Sequence, residues 1–359
     1  MDVEKLIRPH LVDIKTYASI DPPEALAEQA GIPEDRVIKL NANENPFGAS
    51  PRAVEAVANV ALHVYPDPQQ RRMRQSLGEY CDIDPEYIIA GAGSDELIDL
   101  LFRLFMDPGD RILDCEPTFG MYSFSARVAE AEIGLVPRDE LYEIDLDAVR
   151  DAAGPRTKMI FISSPNNPTG NLASESQVRG LLELGLVVVV DEAYYEFSGQ
   201  TVAGLIPEHE NLVVLRTMSK WAGLAGLRIG YGIMSPGLVR HIIDIKSPYN
   251  VNVAAEAAIL ASIEDAPALL EKVALITEER ERMHSLLESM PGVTPWPSYG
   301  NFILCQFPRG RAQGIYEGLA KRGIFVRNFD SDRLRDCFRT SVGTPDQTDA
   351  LIEALNELV

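Results

Sequence analysis

Cysteine is scarce and scattered. Cys81, Cys115, Cys305 and Cys337 are the only four in 359 residues. No C-x-x-C pair occurs, which excludes a zinc ribbon or a thioredoxin-type dithiol, and four thiols so far apart do not make a disulfide scaffold. A reducing cytoplasm is the expected compartment. Basic charge is also short: 33 Lys and Arg stand against 54 Asp and Glu, for a net charge of −21. The densest basic cluster is Arg71-Arg72, so neither nucleic acid nor a membrane surface is an expected partner. Long apolar runs are missing too. The longest, around Leu184–Val190, falls far short of the roughly 20 residues that span a bilayer. Met1-Asp2-Val3-Glu4-Lys5 lacks the basic and apolar regions of a secretory signal. The histidines, His10, His63, His209, His241 and His284, share no ligand spacing, so no metal is assigned. No G-x-S-x-G occurs, which argues against an α/β-hydrolase.

What is present is an ordinary globular composition, 46% hydrophobic and 24% charged. At roughly 150 residues per domain the length predicts two or three domains. Short Val- and Ile-rich runs (Tyr87–Ala90, Arg111–Cys115, Met159–Ser163, Leu186–Val190, Leu212–Arg216 and Ile229–Ile233) alternate with helical patterns such as Ser94–Met106 and Glu175–Leu184. That alternation predicts an α/β domain with a mostly parallel sheet flanked by helices, over residues 44–246. From Ala254 to Glu288 the pattern reads as one long helix. Strands around Phe302–Gln306, Ile324–Arg327 and Phe338–Val342 then predict a smaller α+β domain over 247–359. Residues 1–43 read as an arm, with a short helix, that lies across another surface and joins the small domain.

Four segments at strand ends carry chemistry. Ala90-Gly91-Ala92-Gly93-Ser94-Asp95-Glu96 follows a strand and opens a helix, which suits either an anion on free N–H groups or simple capping by Ser94. The third glycine of a dinucleotide fingerprint is replaced by Glu96. Ser163-Ser164-Pro165-Asn166-Asn167-Pro168-Thr169-Gly170 is either a tight turn or a turn that presents Asn167 to a site. Asp191 closes the apolar run Val187–Val190, where a carboxylate needs Mg²⁺, an arginine or a protonated ring nitrogen. Ser219-Lys220, followed by Arg228, offers either a solvated lysine or one whose lowered pKa suits Schiff-base chemistry. Pyridoxal 5′-phosphate needs the whole set: a lysine for its aldehyde, a carboxylate for its ring nitrogen and donors for its phosphate.

Asn-Pro-Thr-Gly (167–170), Asp-Glu-Ala-Tyr (191–194) and Ser219-Lys220 with Gly226-Leu227-Arg228-Ile229-Gly230 resemble the marks of class I/II aminotransferases of fold type I. The likeness extends along essentially the whole chain. It is nearest to those acting on histidinol phosphate, through Ile7-Arg8-Pro9-His10, Tyr17, Leu40–Pro46, Tyr65-Pro66, Pro117–Tyr122 and Phe338–Gly343. The resemblance implies that Lys220 carries the cofactor, Asp191 faces its ring nitrogen, and Tyr194 and Asn167 face its ring hydroxyl. It implies a phosphate site of Ala92, Gly93, Ser94, Ser219 and Arg228, with Tyr65 joining from a partner subunit, and Phe119 stacked on the ring. Arg327 and Arg339 would take the substrate's anionic end, with Tyr17 of the partner's arm beside them.

The expected protein is a homodimer with shared sites. It passes an amino group from L-histidinol phosphate to 2-oxoglutarate. The alternatives are an aromatic or broad-range aminotransferase, a threonine-phosphate decarboxylase on the same scaffold, and a non-enzymatic module that senses the cofactor.

Overall fold

A strand that is apolar on both faces must be covered on both faces. Such strands form the middle of the protein in the computed structural model, which describes residues 2–359. In chain order the strands are β1 (Ile38–Lys39), β2 (Ile88–Gly91), β3 (Arg111–Glu116), β4 (Glu132–Pro137), β5 (Thr157–Ser163), β6 (Val187–Asp191), β7 (Leu212–Thr217), β8 (Gly230–Met234), β9 (Thr294–Pro295), β10 (Phe302–Gln306), β11 (Ile324–Phe325), β12 (Arg327–Asn328) and β13 (Cys337–Ser341). Seven of them form one sheet in the order β2-β8-β7-β6-β5-β3-β4. From β7 through β4 all pairs are parallel, and β8 runs against both of its neighbours.

Alternate residues of each strand serve opposite faces. Met159, Phe161, Val189, Val213 and Leu215 pack on one side with Leu97, Leu101 and Phe102 of the helix Ser94–Phe105. Ile160, Ile162, Val188, Val190 and Val214 pack on the other side with Leu181 and Leu182 of the helix Glu175–Leu182. The sheet is thus sealed on both faces, and its polar groups collect at the carboxyl ends of the strands.

A second, antiparallel sheet has the order β12-β13-β10-β9 and comes wholly from the last third of the chain. The first forty residues join it indirectly: β1 pairs in parallel with β11, and Leu40 O accepts the Ser341 N–H at 2.7 Å.

Three local expectations are corrected. The long helix is two, Val253–Glu264 and Ala266–Glu288, meeting at Asp265. Pro267 has no N–H to give the carbonyl four residues back, so the ladder breaks there. The stretch 324–327 is split between β11 and β12, which pair with different strands on either side of Val326. Edge strand β4 is absent from the apolar runs because half of it faces solvent, beginning at Glu132.

Candidate active site

Strand ends gather the chemistry. β6 ends at Asp191, β7 leads through Thr217-Met218-Ser219 to Lys220, and β5 ends at Ser163 before the turn that holds Asn167. Open parallel sheets place ligands at this edge. Here the edge surrounds a cavity of about 240 Å³ lined by Lys220, Asp191, Tyr194, Asn167 and Phe119, and by Arg339 from β13. Ser94, Ser219, Arg228 and Tyr17 reach the same space.

Three charged groups line the cavity, Asp191 and Arg339 buried and Lys220 half-buried, and none has an ionic partner among the described residues. Asp191 takes only neutral donors: the Tyr122 hydroxyl at 2.8 Å and the Ala193 N–H at 3.1 Å. Burial without a cation pushes its carboxyl up to about 6. Lys220 Nζ donates to the Ala42 carbonyl at 3.0 Å. Burial, and then the nearby Arg339, bring that amine down to about 8. Arg339 donates to Asn167 Oδ1 and to the Asn41 carbonyl, both at 2.6 Å, and its buried Nε has no partner among the described residues.

The turn holding Asn167 divides its labour. Asn166 is fully buried and bonds Pro117 O, Thr169 and Thr118, which fixes the backbone. Asn167 is left to face the cavity.

Near the helix Ser94–Phe105 the expectation needs correction. The N-cap is Gly93, with φ +82°, and Ser94 is the first helical residue. The left-handed φ of Gly93 is what favours glycine there, and a Cβ would also lie 2.7 Å from the movable Arg228 Nη2. The Ala92 N–H is not free for an anion: Glu96 Oε2 accepts it at 2.6 Å, and Asn250 Nδ2 holds that carboxylate at 2.8 Å. Gly93 N–H turns back to Gly91 O at 2.8 Å. The donors that remain are the first-turn N–H groups from Ser94 onward, which have no intrahelical acceptor, with the Ser94 and Ser219 hydroxyls and Arg228. Arg228 pairs with Asp95 at 2.7 Å.

An anion cradle, a buried carboxylate without a counter-ion and a half-buried amine fit the phosphate, ring nitrogen and aldehyde of pyridoxal 5′-phosphate. The orphaned Arg339 Nε leaves an anion-binding donor for a substrate. Residues 35–355 match the family described as aminotransferase class I and II. The chain belongs to that family. It is 48% identical over 363 residues to a histidinol-phosphate aminotransferase of Roseiflexus castenholzii, covering 98% of each chain. It is 43% identical over 358 residues to the chloroplastic histidinol-phosphate aminotransferase 1 of Arabidopsis thaliana, covering 99% of this chain and 86% of that one. The crystal structure of histidinol-phosphate aminotransferase from Sinorhizobium meliloti, in complex with pyridoxal-5′-phosphate, superposes with a TM-score of 0.89 at 25% identity, covering 98% of this chain and 97% of that one. The sheet architecture is therefore that of the fold-type I aminotransferases.

In this aminotransferase, Arg327 and Arg339 are cross-strand partners on β12 and β13. Both line an adjoining cavity of about 290 Å³ that shares Tyr17, Phe119 and Asn167 with the first. In this single chain the arm lies over the site of its own chain. Tyr17 packs edge-on against Phe119 at 5.9 Å, and Arg327 Nη2 donates to the Ala18 carbonyl at 2.8 Å. Tyr65 is not brought to the cavity. It is 76% exposed and stacks on Tyr249 at 4.4 Å.

Two site residues escaped the sequence reading as individuals. Tyr122, which bonds Asp191, and Asn43, whose Nδ2 donates to Tyr194 Oη at 2.9 Å, are remote in sequence from their partners. The one local signal was their place inside the quoted motifs, Leu40–Pro46 and Pro117–Tyr122.

Proposed function

We propose that this aminotransferase moves the amino group of L-histidinol phosphate to 2-oxoglutarate, giving imidazole acetol phosphate and L-glutamate. The observation that carries the reading is the arginine pair of the adjoining cavity. Arg339 is buried with an unpartnered Nε, and Arg327 stands beside it across the strand pair. Two guanidinium forks suit a phosphate dianion and also accept the carboxylates of the second substrate. The relatives at 43–48% identity carry the same activity in their names.

Pyridoxal 5′-phosphate, when bound, supplies a conjugated cationic ring that takes up the electron pair of a broken C–H bond. Asp191 keeps the proton on its ring nitrogen. Lys220 Nζ would hold the aldehyde and would serve as the base for the substrate's Cα proton. Tyr194 and Asn167 face the ring hydroxyl. Ser94, Ser219 and Arg228, with the first-turn N–H groups of the helix Ser94–Phe105, would hold the phosphate, and Phe119 would cover one face of the ring.

The active form in this reading is a homodimer, with Tyr65 completing the partner's phosphate site. Leu62, Val64, Tyr65 and Tyr249 together expose an apolar surface that supports it. Sedimentation is expected to give twice the chain's 39.6 kDa. The division into an arm (1–43), a large domain (44–246) and a small domain (247–359) is proposed with it.

A single-turnover panel tests the substrate. The visible band of the loaded protein is followed with histidinol phosphate, phenylalanine, tyrosine and threonine phosphate. Histidinol phosphate is expected to consume it at least about 100-fold more efficiently than the others, the weight of a few kcal/mol of phosphate recognition. Equal efficiency with the aromatic amino acids would replace this reading by the broad-range one, and carbon dioxide release from threonine phosphate by the decarboxylase.

A further inference from the structure

Residues 40–44, Leu-Asn-Ala-Asn-Glu, run between the two sheets, and from Asn41 onward they meet the site. Asn41 O receives Arg339, Ala42 O receives Lys220, and Asn43 Nδ2 meets Tyr194. Asn43 is 1% exposed, and each of its polar atoms is engaged. Its N–H donates to Ser341 Oγ at 2.8 Å, its carbonyl receives Asn301 Nδ2 at 3.0 Å, and its Oδ1 lies 3.0 Å from Ser341 Oγ.

The orientation of the Asn43 amide gives this chain of bonds one consistent direction. A backbone N–H only donates, so Ser341 Oγ accepts from it. The single Ser341 hydroxyl proton is then free to go to Asn43 Oδ1. With Oδ1 receiving, the other branch of the amide is the Nδ2 donor, so Tyr194 Oη accepts from it. The phenol has one proton, and that proton is left for a different partner. Tyr194 lines the cavity beside Lys220 and Asn167. Burial pushes the phenol up to about 12, so it keeps its proton across the working range. Asn43 also holds φ +53°, the left-handed region that few non-glycine residues adopt and that strained functional positions often use.

We propose that Asn43 is a positioning residue that aims the Tyr194 hydroxyl proton into the cavity, at the ring oxygen of the bound cofactor. The inference rests on the cofactor assignment above and not on the choice of amine.

Asn43→Asp tests it, because shape is nearly kept while the donor becomes an acceptor. The new carboxylate takes the Tyr194 proton, and the phenol then offers the ring oxygen only a lone pair. The visible band of the loaded protein titrates with the proton shared between Lys220 Nζ and that oxygen. A donor on the oxygen draws off its negative charge and eases loss of the proton. In Asn43→Asp the midpoint of the band is therefore expected to rise by about one to two pH units, the weight of one hydrogen bond to a charged group. Cofactor affinity by equilibrium dialysis is expected to fall about tenfold over the same change. Tyr194→Phe should raise the midpoint similarly, and the double variant no further than either single one.

Ser341→Ala serves where Asn43→Asp folds poorly. It removes the hydroxyl that fixes the amide and is expected to raise the midpoint by a smaller amount. An unchanged midpoint in the variant that folds, or shifts of Asn43→Asp and Tyr194→Phe that add, would overturn the proposal. A wild type that binds the cofactor but ignores histidinol phosphate would defeat the substrate reading and leave these shifts standing.

Discussion

Asp191 and Glu192 are neighbours at the end of β6, 3% and 2% exposed, and the chain treats them in opposite ways. Glu192 receives Arg216 through Nε at 3.0 Å and Nη2 at 2.9 Å, with Thr201 Oγ1 and the Val202 N–H filling its remaining sites. Arg216 in turn lies 3.7 Å over the Tyr195 ring and donates to Thr201 Oγ1 at 2.7 Å. Asp191 receives a phenol and one amide N–H, and no cation. Adjacent residues of an extended segment face opposite sides. One side is therefore a finished ion pair that ties the ends of β6 and β7. The other is an unfinished one that waits for a ligand. Charges the fold needs are compensated by the chain, and charges the chemistry needs are left open at a cost in stability.

The largest break in that comparison is Lys220→Ala. Lys220 stands among the open groups, and its loss would remove both the proposed attachment point and the proposed base. General-base catalysis alone is worth about 10²–10⁴-fold, so turnover should fall by roughly 10⁴ or more. Borohydride treatment of the loaded wild type should fix cofactor mass on the peptide holding Lys220 and on no other. Mass at another lysine would sink the assignment. Because attack needs the neutral amine, and Lys220 is lowered to about 8, loading of the wild type should quicken as pH rises through about 8.

This division explains what the sequence discloses. Asp191 and Lys220 stand out because each is a charged residue directly after an apolar strand, and a buried charge needs a stated partner. Asn167 stands out as a polar residue in a two-proline turn. Arg216 sits inside an apolar run of the same kind, yet its partner Glu192 is 24 positions away, and no local rule pairs them. Asn43 and Tyr122 are ordinary residue types whose meaning is a single long-range bond. Ala92 looks like a phosphate donor until Glu96, one helical turn on, takes its N–H. Tyr17 lies on its own chain's cavity because Phe119 and Arg327 give its arm a seat there, a tertiary contact that no arm sequence announces. The alternation of strand and helix is readable because both faces of the sheet are apolar. The break at Asp265 was missed because Pro267 is outweighed by the helix-forming residues around it.

Arg216→Leu breaks the finished pair. It leaves Glu192 buried without a cation, and removing one partner of such a pair costs about 3–5 kcal/mol. Chemical denaturation should register that loss at neutral pH in the cofactor-free protein. Glu192→Leu combined with Arg216→Leu should recover much of it, since neither charge is then stranded. A single variant within about 1 kcal/mol of wild type would mean that water or backbone already compensates Glu192.

Asp191→Asn should act in the opposite direction on stability, and this sharpens the comparison most. The Asp191 carboxyl is raised from its ordinary 3.8 to about 6. A raised folded pKa means that its contribution to stability is fully present at low pH, below 3.8, and is lost as pH rises through about 6. At neutral pH the wild type therefore carries a burden of about 2–3 kcal/mol from this one group. Asparagine carries no charge at any pH. Its amide can still accept the Tyr122 hydroxyl but forfeits the Ala193 N–H, a loss of about 1 kcal/mol. The cofactor-free variant should thus be about 1–2 kcal/mol more stable than wild type near pH 7.5 and no more stable near pH 4. Asp114, also raised to about 6 by burial, titrates in both proteins and cancels from the difference. With the cofactor present the order should reverse. The pyridinium charge finishes the pair in the wild type, whereas the amide leaves the ring nitrogen without a counter-ion. Denaturation midpoints at the two pH values, with and without the cofactor, decide it. A cofactor-free variant less stable than wild type near pH 7.5 would show that Asp191 serves the fold as Glu192 does.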